Sequence, residues 1–186
     1  PRFLSLLIFG LSMIILYQDR LMFAIAVGYV LVQHGVIGAL AGFRGVKRRM
    51  EVVGMQAGVT VYDDFAHHPT AIATTLDGLR AKVGDARIVV AMEPRSNSMR
   101  LGAHADALAP ALDLADAVMF LARPELPWDA GKVIAAVRGD ARSVPDAEAL
   151  LAALSGLVRA GDHVVFMSNG GFDGAPRRFL AALHDD

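Results

Sequence analysis

Four titratable side chains stand close together in the stretch VYDDFAHHPTAI, which runs from Val61 to Ile72. They are Asp63, Asp64, His67 and His68. Charged and imidazole groups are costly to remove from water unless they are paired or stay near solvent. Carboxylates and imidazoles at this density are typical of a metal site, an acid–base pair, a nucleotide contact or a polar turn. The stretch alone leaves these four interpretations open.

Local geometry argues against a metal ion at this stretch. Neighbouring residues of an extended backbone point to opposite faces, so two adjacent aspartates or two adjacent histidines do not easily share one ion. The chain also has no His-Glu-x-x-His motif and no EF-hand spacing. A helix cap is the structural alternative, with Asp64 or His67 accepting from the first N–H groups of a helix that begins at Pro69. Because a helix N-terminus also attracts anions, capping and ligand contact are compatible.

A second polar cluster, EPRSNSMRLGAH at Glu93–His104, directly follows an apolar run. Arg95 lies near its start, with the short polar side chains of Ser96 and Asn97 beside it. An arginine presents a planar fork that suits bidentate binding of a carboxylate or a phosphate. The alternative is an ordinary solvated loop between a strand and a helix. We treat Arg95, Ser96 and Asn97 as candidate substrate contacts.

Two further motifs are less specific. MSNGGFDG, at Met167–Gly174, has glycines that permit close backbone approach, but a tight turn explains them equally well. GVKRRMEV, at Gly45–Val52, carries basic residues into a strand and is also consistent with an exposed charged turn. No G-x-x-x-x-G-K-[ST] motif occurs in the chain, so a loop that cradles a triphosphate is not encoded here.

The elements that must position these clusters alternate between strands and helices from about Gly35 onward. Two short strands surround the turn Gln56–Gly58, and a helix with an apolar stripe then runs from Pro69 to Gly84. The apolar run ARIVVAMEP is typical of a strand buried on both faces. The remaining predicted elements are a helix at 102–113, a strand at 117–122, a helix at 130–137, the strand ARSV, a helix at 146–159 capped by Asp146, a strand at 162–168 and a helix at 175–184.

This alternation predicts an α/β fold, a Rossmann-like doubly wound sheet of five or six mostly parallel strands. In such sheets ligands bind beyond the carboxyl ends of the strands. The clusters 63–68, 93–100 and 168–174 each directly follow a predicted strand. We therefore expect the three clusters to share one edge of the sheet and to form one site.

The composition limits the partners of the chain. At 186 residues it has room for one ordinary domain and an appendage. Its formal net charge of −1 gives no global basic field for nucleic acid, so we expect no nucleic-acid partner. The absence of cysteine excludes disulfides, thiolate nucleophiles and cysteine-ligated zinc, and it suits a reducing compartment such as the cytoplasm.

Residues 1–34 differ in composition from the rest of the chain. Two nearly uncharged runs, FLSLLIFGLSMIILY and LMFAIAVGYVLV, are separated by Gln18, Asp19 and Arg20. Each run is shorter than the roughly 20 residues that span a bilayer. We divide the chain into a hydrophobic helical segment, 1–34, and an α/β domain, 35–186. Three interpretations of the segment stay open: a membrane-associated hairpin that attaches the domain to the inner membrane face, helices buried on a partner, and an error of reading frame.

Taken in order, FRGVKRRMEV, VYDDFAHHPTAI, EPRSNSMRLGAH and MSNGGFDG resemble the C-terminal domain of the Mur ligases, from about Ile37 to the end of the chain. The pattern Asp-x-Ala-His-x-Pro is shared by several Mur-type ligases and folylpolyglutamate synthetases, so it marks the superfamily. FAHHPTAI together with EPRSNSM and SNGGF is more specific to the Mur ligases that recycle murein peptides.

The resemblance implies an ATP-dependent amide ligation in peptidoglycan recycling. ATP phosphorylates the carboxylate of UDP-N-acetylmuramate, and the amine of the muropeptide L-Ala-γ-D-Glu-meso-diaminopimelate attacks the acyl phosphate. ATP and Mg²⁺ are the implied cofactors. In the family a central domain holds the P-loop, the magnesium ligands and a modified lysine. The resemblance therefore also implies that this chain alone lacks ligase activity.

The same resemblance assigns roles to individual residues. One of the adjacent pair Arg48 and Arg49 reaches the phosphates during domain closure, and Arg49 is slightly preferred. Contacts to the nucleotide are implied for Asp64, His67 and His68. Contacts to the acceptor substrate are implied for Arg95, Ser96, Asn97 and Asn169, and no metal ligand is implied in this chain.

Two other functions are consistent with parts of the sequence. A membrane-tethered module could keep a nucleotide or muropeptide pocket without catalysis, with residues 1–34 as its tether. A phosphohydrolase could use Asp64 and His67 as a general acid and base. Loss of detergent dependence on deletion of residues 1–34 would favour the first, and metal-dependent phosphatase turnover abolished by Asp64→Asn would favour the second.

Overall fold

Six strands form a single sheet in the computed structural model, which describes residues 47–183. These residues belong to one compact unit that begins at Val46. The predicted hydrophobic segment 1–34, its boundary at residue 35 and its proposed membrane contact all lie outside the described residues. Among residues 47–183, no helix combines the length and apolar character needed to cross a bilayer.

The sheet begins with an antiparallel hairpin. Strand β1 covers Glu51–Gln56 and β2 covers Val59–Asp64. The turn residues Ala57 and Gly58 have φ angles of 51° and 69°, as a two-residue type I′ turn requires. The register shifts between Val52 and Gly54, which bends β1 at the edge of the sheet.

The other strands are parallel to β2. They are β3 (Ile88–Met92), β4 (Ala117–Leu121), β5 (Asp140–Val144) and β6 (His163–Met167). Their order across the sheet is β1-β2-β6-β3-β4-β5, so β6 returns to lie between β2 and β3. This order brings the carboxyl ends of β2, β6, β3 and β4 together on one edge.

Helices cover both faces of the sheet. They are α1 (Pro69–Val83), α2 (Asn97–Arg100), α3 (Ala105–Ala111), α4 (Ala130–Ala136), α5 (Ala147–Ser155) and α6 (Ala175–Ala182), with a 3₁₀ turn at Phe172–Gly174. Apolar residues of α1, α3 and α4 share one buried core with the sheet, and those of α5 and α6 share a second. The predicted Rossmann-like, doubly wound and mostly parallel fold is therefore confirmed.

Two predicted helices are shorter than expected. The helix expected at 102–113 begins only at Ala105, because Gly102 has a φ of 74° and packs against Trp128. The helix expected to reach Arg159 ends at Ser155, with Gly156 as its cap. A short helix, α2, also forms where a loop was expected. None of these differences changes the order of the strands.

Candidate functional site

The three polar clusters meet at the carboxyl edge of the sheet. The N–H of Ser168 donates to the carbonyl of Asp64 (3.1 Å), and the N–H of Glu93 donates to the carbonyl of Met167 (3.0 Å). Hydrogen bonds therefore join the chain segments that follow β2, β6 and β3, with the segment after β6 in the middle. The prediction that Asp64 and Arg95 lie on the same edge of the sheet is confirmed.

The Asp64 side chain points inward and links the loop after β2, residues 65–68, to the segment before β1. Its side chain is only 2% exposed. Oδ2 accepts from the N–H of Met50 at 2.6 Å, and Oδ1 accepts from the N–H of Ala66 at 2.7 Å. The hydroxyl of Thr75 adds a longer contact to Oδ1, 3.4 Å. Both carboxylate oxygens are engaged within the domain, so a ligand contact by Asp64 would be an additional hydrogen bond to an oxygen that already accepts one.

The cap of α1 is His68, and not Asp64 or His67 as the helix-cap alternative had it. His68 Nδ1 accepts from the N–H of Thr70 at 3.3 Å. The backbone of His68 is extended, as the residue before a helix requires, and Pro69 then takes the first helical position. The ring of His68 also contacts that of His104 edge-on, with centroids 4.5 Å apart. His68 is therefore the helix cap and a link to the second cluster.

His67 has one ring nitrogen available to a ligand. Its Nδ1 lies 2.9 Å from the carbonyl oxygen of Phe65. A carbonyl oxygen can only accept, so Nδ1 carries the proton and the neutral ring presents an unprotonated Nε2. The ring packs edge-on against Phe65, with centroids 5.3 Å apart. His67 thus offers a hydrogen-bond acceptor whose direction is set by two contacts with Phe65.

Arg48 is committed to contacts within the domain. Its Nε lies 3.2 Å from Asp63 Oδ2, and its Nη2 donates to the carbonyl of Ser168 at 2.6 Å. Burial raises the pKa of the Asp63 carboxyl, although Arg48 acts in the opposite direction. Arg48 therefore ties β2 to the segment that follows β6.

Arg49 differs from its neighbour in that its guanidinium is available. Arg49 is exposed, and its Cζ lies 5.3 Å from the centroid of the Phe65 ring. The Arg48 guanidinium lies at 5.4 Å from the same ring. No ion pair involves Arg49 among the residues that the structure describes. A cation stacked on an aromatic face keeps its N–H groups at the edge of the plane, where they can bind an anion.

A buried carboxylate organises the other half of the edge. Glu93 is 2% exposed, and its Oε2 accepts from the hydroxyl of Ser168 at 2.7 Å. Its Oε1 accepts from Nη2 and Nε of Arg123 at 3.1 and 3.3 Å. Arg95 Nη1 lies further away, at 3.5 Å from Oε1. Hydrogen bonding to Asp173, and also to Glu93, raises the pKa of Arg123.

A cavity of about 200 Å³ opens beside this network. Three arginines and two glutamates lie among its lining residues, which are Glu93, Pro94, Arg95, Arg100, Leu121, Arg123, Glu125 and Leu126. A mixed set of positive and negative groups suits a ligand that carries both carboxylates and an amine. The cavity is therefore a candidate site for an amino acid or a peptide.

The remaining predicted contacts, Ser96, Asn97 and Asn169, do not line this cavity. Ser96 uses its hydroxyl to cap α2, accepting from the N–H of Met99 at 3.3 Å. Asn97 is the exposed first residue of α2. The side-chain oxygen of Asn169 is buried and has no hydrogen-bond partner within the described part of the chain. Buried polar atoms are nearly always paired, so this oxygen is a candidate acceptor for a ligand donor.

Four residues of this edge are not among the candidates that the motifs single out. Arg123 lies in the loop just beyond β4, so the strand-end criterion that identifies Arg95 would also identify it. Glu93 and Gly170 lie inside the quoted motifs, and Phe65 lies between the aspartates and histidines of the first one. Their roles depend on contacts between distant segments, which residue types alone do not indicate.

The fold and this edge define a class of protein. Residues 48–170 match the family described as Mur ligase, glutamate ligase domain. The chain belongs to the Mur ligase family and comprises its C-terminal, glutamate ligase domain.

Within the family, the chain is similar to ligases that act on UDP-N-acetylmuramate. It is 46% identical over 146 residues to the UDP-N-acetylmuramate–L-alanyl-gamma-D-glutamyl-meso-2,6-diaminoheptandioate ligase of Escherichia coli K12, which covers 78% of this chain and 32% of that protein. It is 40% identical to a UDP-N-acetylmuramate–L-alanine ligase of Mycobacterium sp. JLS, over 80% of this chain and 32% of the relative.

A solved structure of a relative has the same fold. The murein peptide ligase of Psychrobacter arcticus superposes with a TM-score of 0.68 at 41% identity, covering 78% of this chain and 32% of that chain. The chain thus spans about a third of the length of the relatives it matches.

Proposed function

We propose that this chain is the domain of an ATP-dependent ligase that joins UDP-N-acetylmuramate to L-Ala-γ-D-Glu-meso-diaminopimelate in peptidoglycan recycling, in the cytoplasm. The observation that carries the proposal is the shared edge of the sheet. A free arginine and a free imidazole nitrogen lie on the β2 side of this edge, and an arginine-lined cavity lies on the β3 side. Ser168 is bonded to both sides.

The β2 side fits the nucleotide. Arg49, which has no ion pair among residues 47–183, offers a guanidinium fork for the phosphates of ATP, and His67 Nε2 offers an acceptor for a hydroxyl group. Asp64 holds the loop that presents both groups. A contact of Asp64 with the ribose would be an additional hydrogen bond to an oxygen that already accepts one. Among residues 47–183, no group of three or more His, Asp or Glu side chains is placed to hold a metal ion. We assign the Mg²⁺ that accompanies ATP to the central domain of the family.

The β3 side fits the acceptor. The muropeptide carries several carboxylates and a free amine, and the cavity offers arginine forks together with glutamates. Arg95 is 52% exposed and only loosely held by Glu93, so it is free to bind a carboxylate of the peptide. We assign Asn97 and Asn169 as additional polar contacts, since the Asn169 side-chain oxygen has no hydrogen-bond partner among residues 47–183.

Arg95→Lys is expected to weaken acceptor binding selectively. Lysine keeps the charge but loses the two-point geometry of the guanidinium. The assay uses a chimera, the E. coli relative with its matching stretch of 146 residues replaced by that of this chain. The KM for the tripeptide should rise by about 10-fold, which is about 1.4 kcal/mol and lies within the roughly 1–3 kcal/mol of a lost charge-assisted hydrogen bond. The KM for ATP should stay unchanged.

The same chimera distinguishes two acceptors, since one relative is named as an L-alanine ligase. Our proposal predicts turnover with the tripeptide and little turnover with L-alanine. Turnover with L-alanine but not with the tripeptide would instead assign the chain to the UDP-N-acetylmuramate–L-alanine ligases. A rise in the KM for ATP on Arg95→Lys, with no change for the tripeptide, would contradict the acceptor role of this cavity.

A further inference from the structure

The aliphatic stem of Arg95 lies directly on Gly170. A Cβ atom placed on Gly170 would come 2.9 Å from Cγ, 3.2 Å from Cδ and 3.3 Å from Nε of Arg95. These are the three nearest atoms that such a Cβ would meet, and all belong to this one flexible side chain. Gly170 is not among the glycines with positive φ. Its missing side chain therefore matters for the packing of Arg95 and not for the backbone of the turn.

Glu93 does not fix the position of Arg95. The contact from Arg95 Nη1 to Glu93 Oε1 is 3.5 Å, whereas Arg123 reaches the same oxygen at 3.1 Å. Ser168 bonds the other oxygen at 2.7 Å. The buried charge of Glu93 is therefore compensated without Arg95. The direction in which Arg95 points depends on the surface beneath its stem, which is Gly170.

We propose that Gly170 is a positioning residue for Arg95, because its lack of a side chain lets the arginine lie flat and directs the guanidinium over the cavity. The proposal rests on the function proposed above, in which Arg95 binds a carboxylate of the acceptor peptide. A methyl group at position 170 lifts the stem and turns the fork away from the peptide. A misdirected guanidinium loses its bidentate geometry even though the charge remains nearby.

The neighbouring glycine provides a matched control. A Cβ on Gly171 meets no atom within 4 Å, and Gly171 has ordinary right-handed helical φ and ψ angles of −76° and −8°. Gly170→Ala and Gly171→Ala thus add the same methyl group at adjacent positions, but only the first touches Arg95. A difference between these variants reports on the arginine and not on the general cost of replacing a glycine in the loop.

The experiment uses the full 186-residue chain as wild type, Gly170→Ala, Gly171→Ala, Arg95→Ala and the double variant Arg95→Ala/Gly170→Ala. Two quantities are measured: the NMR resonance of the Arg95 Nε–Hε group without ligand, and the calorimetric affinity for L-Ala-γ-D-Glu-meso-diaminopimelate. Gly170→Ala should shift the Arg95 resonance and weaken binding by about tenfold. Gly171→Ala should change neither quantity.

The double variant separates positioning from a structural role. Once Arg95 is alanine, there is no stem to displace, so adding Gly170→Ala should change the affinity by less than about twofold. An undiminished effect of Gly170→Ala in the Arg95→Ala background would overturn the proposal, as would a wild-type Arg95 resonance in Gly170→Ala. If the wild-type chain does not bind the tripeptide, the acceptor role itself fails, and the Arg95 resonance still decides whether Gly170 positions the side chain.

Discussion

Asp64→Ala is expected to destabilise the domain by about 2–4 kcal/mol. The Asp64 carboxylate is 2% exposed and accepts from the N–H groups of Met50 and Ala66. Alanine leaves the half-buried N–H of Met50 and the buried N–H of Ala66 without this partner, and an unsatisfied buried group costs about 1–3 kcal/mol. For a domain of ordinary stability this is a large fraction of the total. Urea unfolding of wild type and variant at the same pH measures the difference.

Asp77→Ala is the control for this loss of stability. Asp77 lies on the exposed side of α1, so its replacement should change the free energy of unfolding by less than about 0.5 kcal/mol. Equal losses in the free energy of unfolding for Asp64→Ala and Asp77→Ala would show that the hydrogen bonds of Asp64 do not stabilise the domain. The proposed nucleotide contact of Asp64 is a separate property, and ATP affinity must be compared at a temperature at which the variant is folded.

Arg49→Ala is expected to lower kcat of the chimeric ligase by about 10²–10³-fold. The transferred phosphoryl group spreads negative charge over its oxygens in the transition state, and a free guanidinium stabilises that charge. Arg49 is exposed and stacked on Phe65, so its removal should leave the free energy of unfolding within about 0.5 kcal/mol of wild type. Steady-state ligation kinetics and urea unfolding of the same preparation check both parts.

Arg48→Ala should show a different balance of effects. The Arg48 guanidinium bonds Asp63 and the carbonyl of Ser168, so its loss should cost about 1–2 kcal/mol of stability. Any loss of turnover should follow from the displaced loop. The assignment of roles is reversed if Arg48→Ala abolishes turnover at unchanged stability while Arg49→Ala retains full activity.

The location of the site could be predicted from the sequence because it follows from strand order and direction. Asp64 ends β2 and Arg95 lies in the loop that follows β3, and the carboxyl ends of parallel strands share one edge. Residue types and the strand–helix alternation suffice for that inference. The doubly wound fold and the proximity of the three clusters could therefore be predicted from the sequence.

The division of roles within the site could not be predicted in the same way. Arg48 and Arg49 are identical in type and adjacent, and they are distinguished by the contacts of Arg48 with Asp63 and with Ser168, 120 residues away. The same holds for Asp64, whose inward orientation depends on the N–H of Met50. Such pairings are set by the packing of segments distant in sequence, and local periodicity carries no information about them. The ends of helices also depend on such distant contacts. The packing of Gly102 against Trp128 just before α3 is an example.

The central claim is that this domain completes the site of a larger ligase by contributing its nucleotide and acceptor contacts. The most direct test is ATP-dependent formation of the UDP-N-acetylmuramyl tripeptide by three samples: the full chain alone, the E. coli relative without its matching stretch, and the chimera of the two. We expect product from the chimera only. Robust turnover by the chain alone, or equal activity of the truncated relative and the chimera, would contradict the claim.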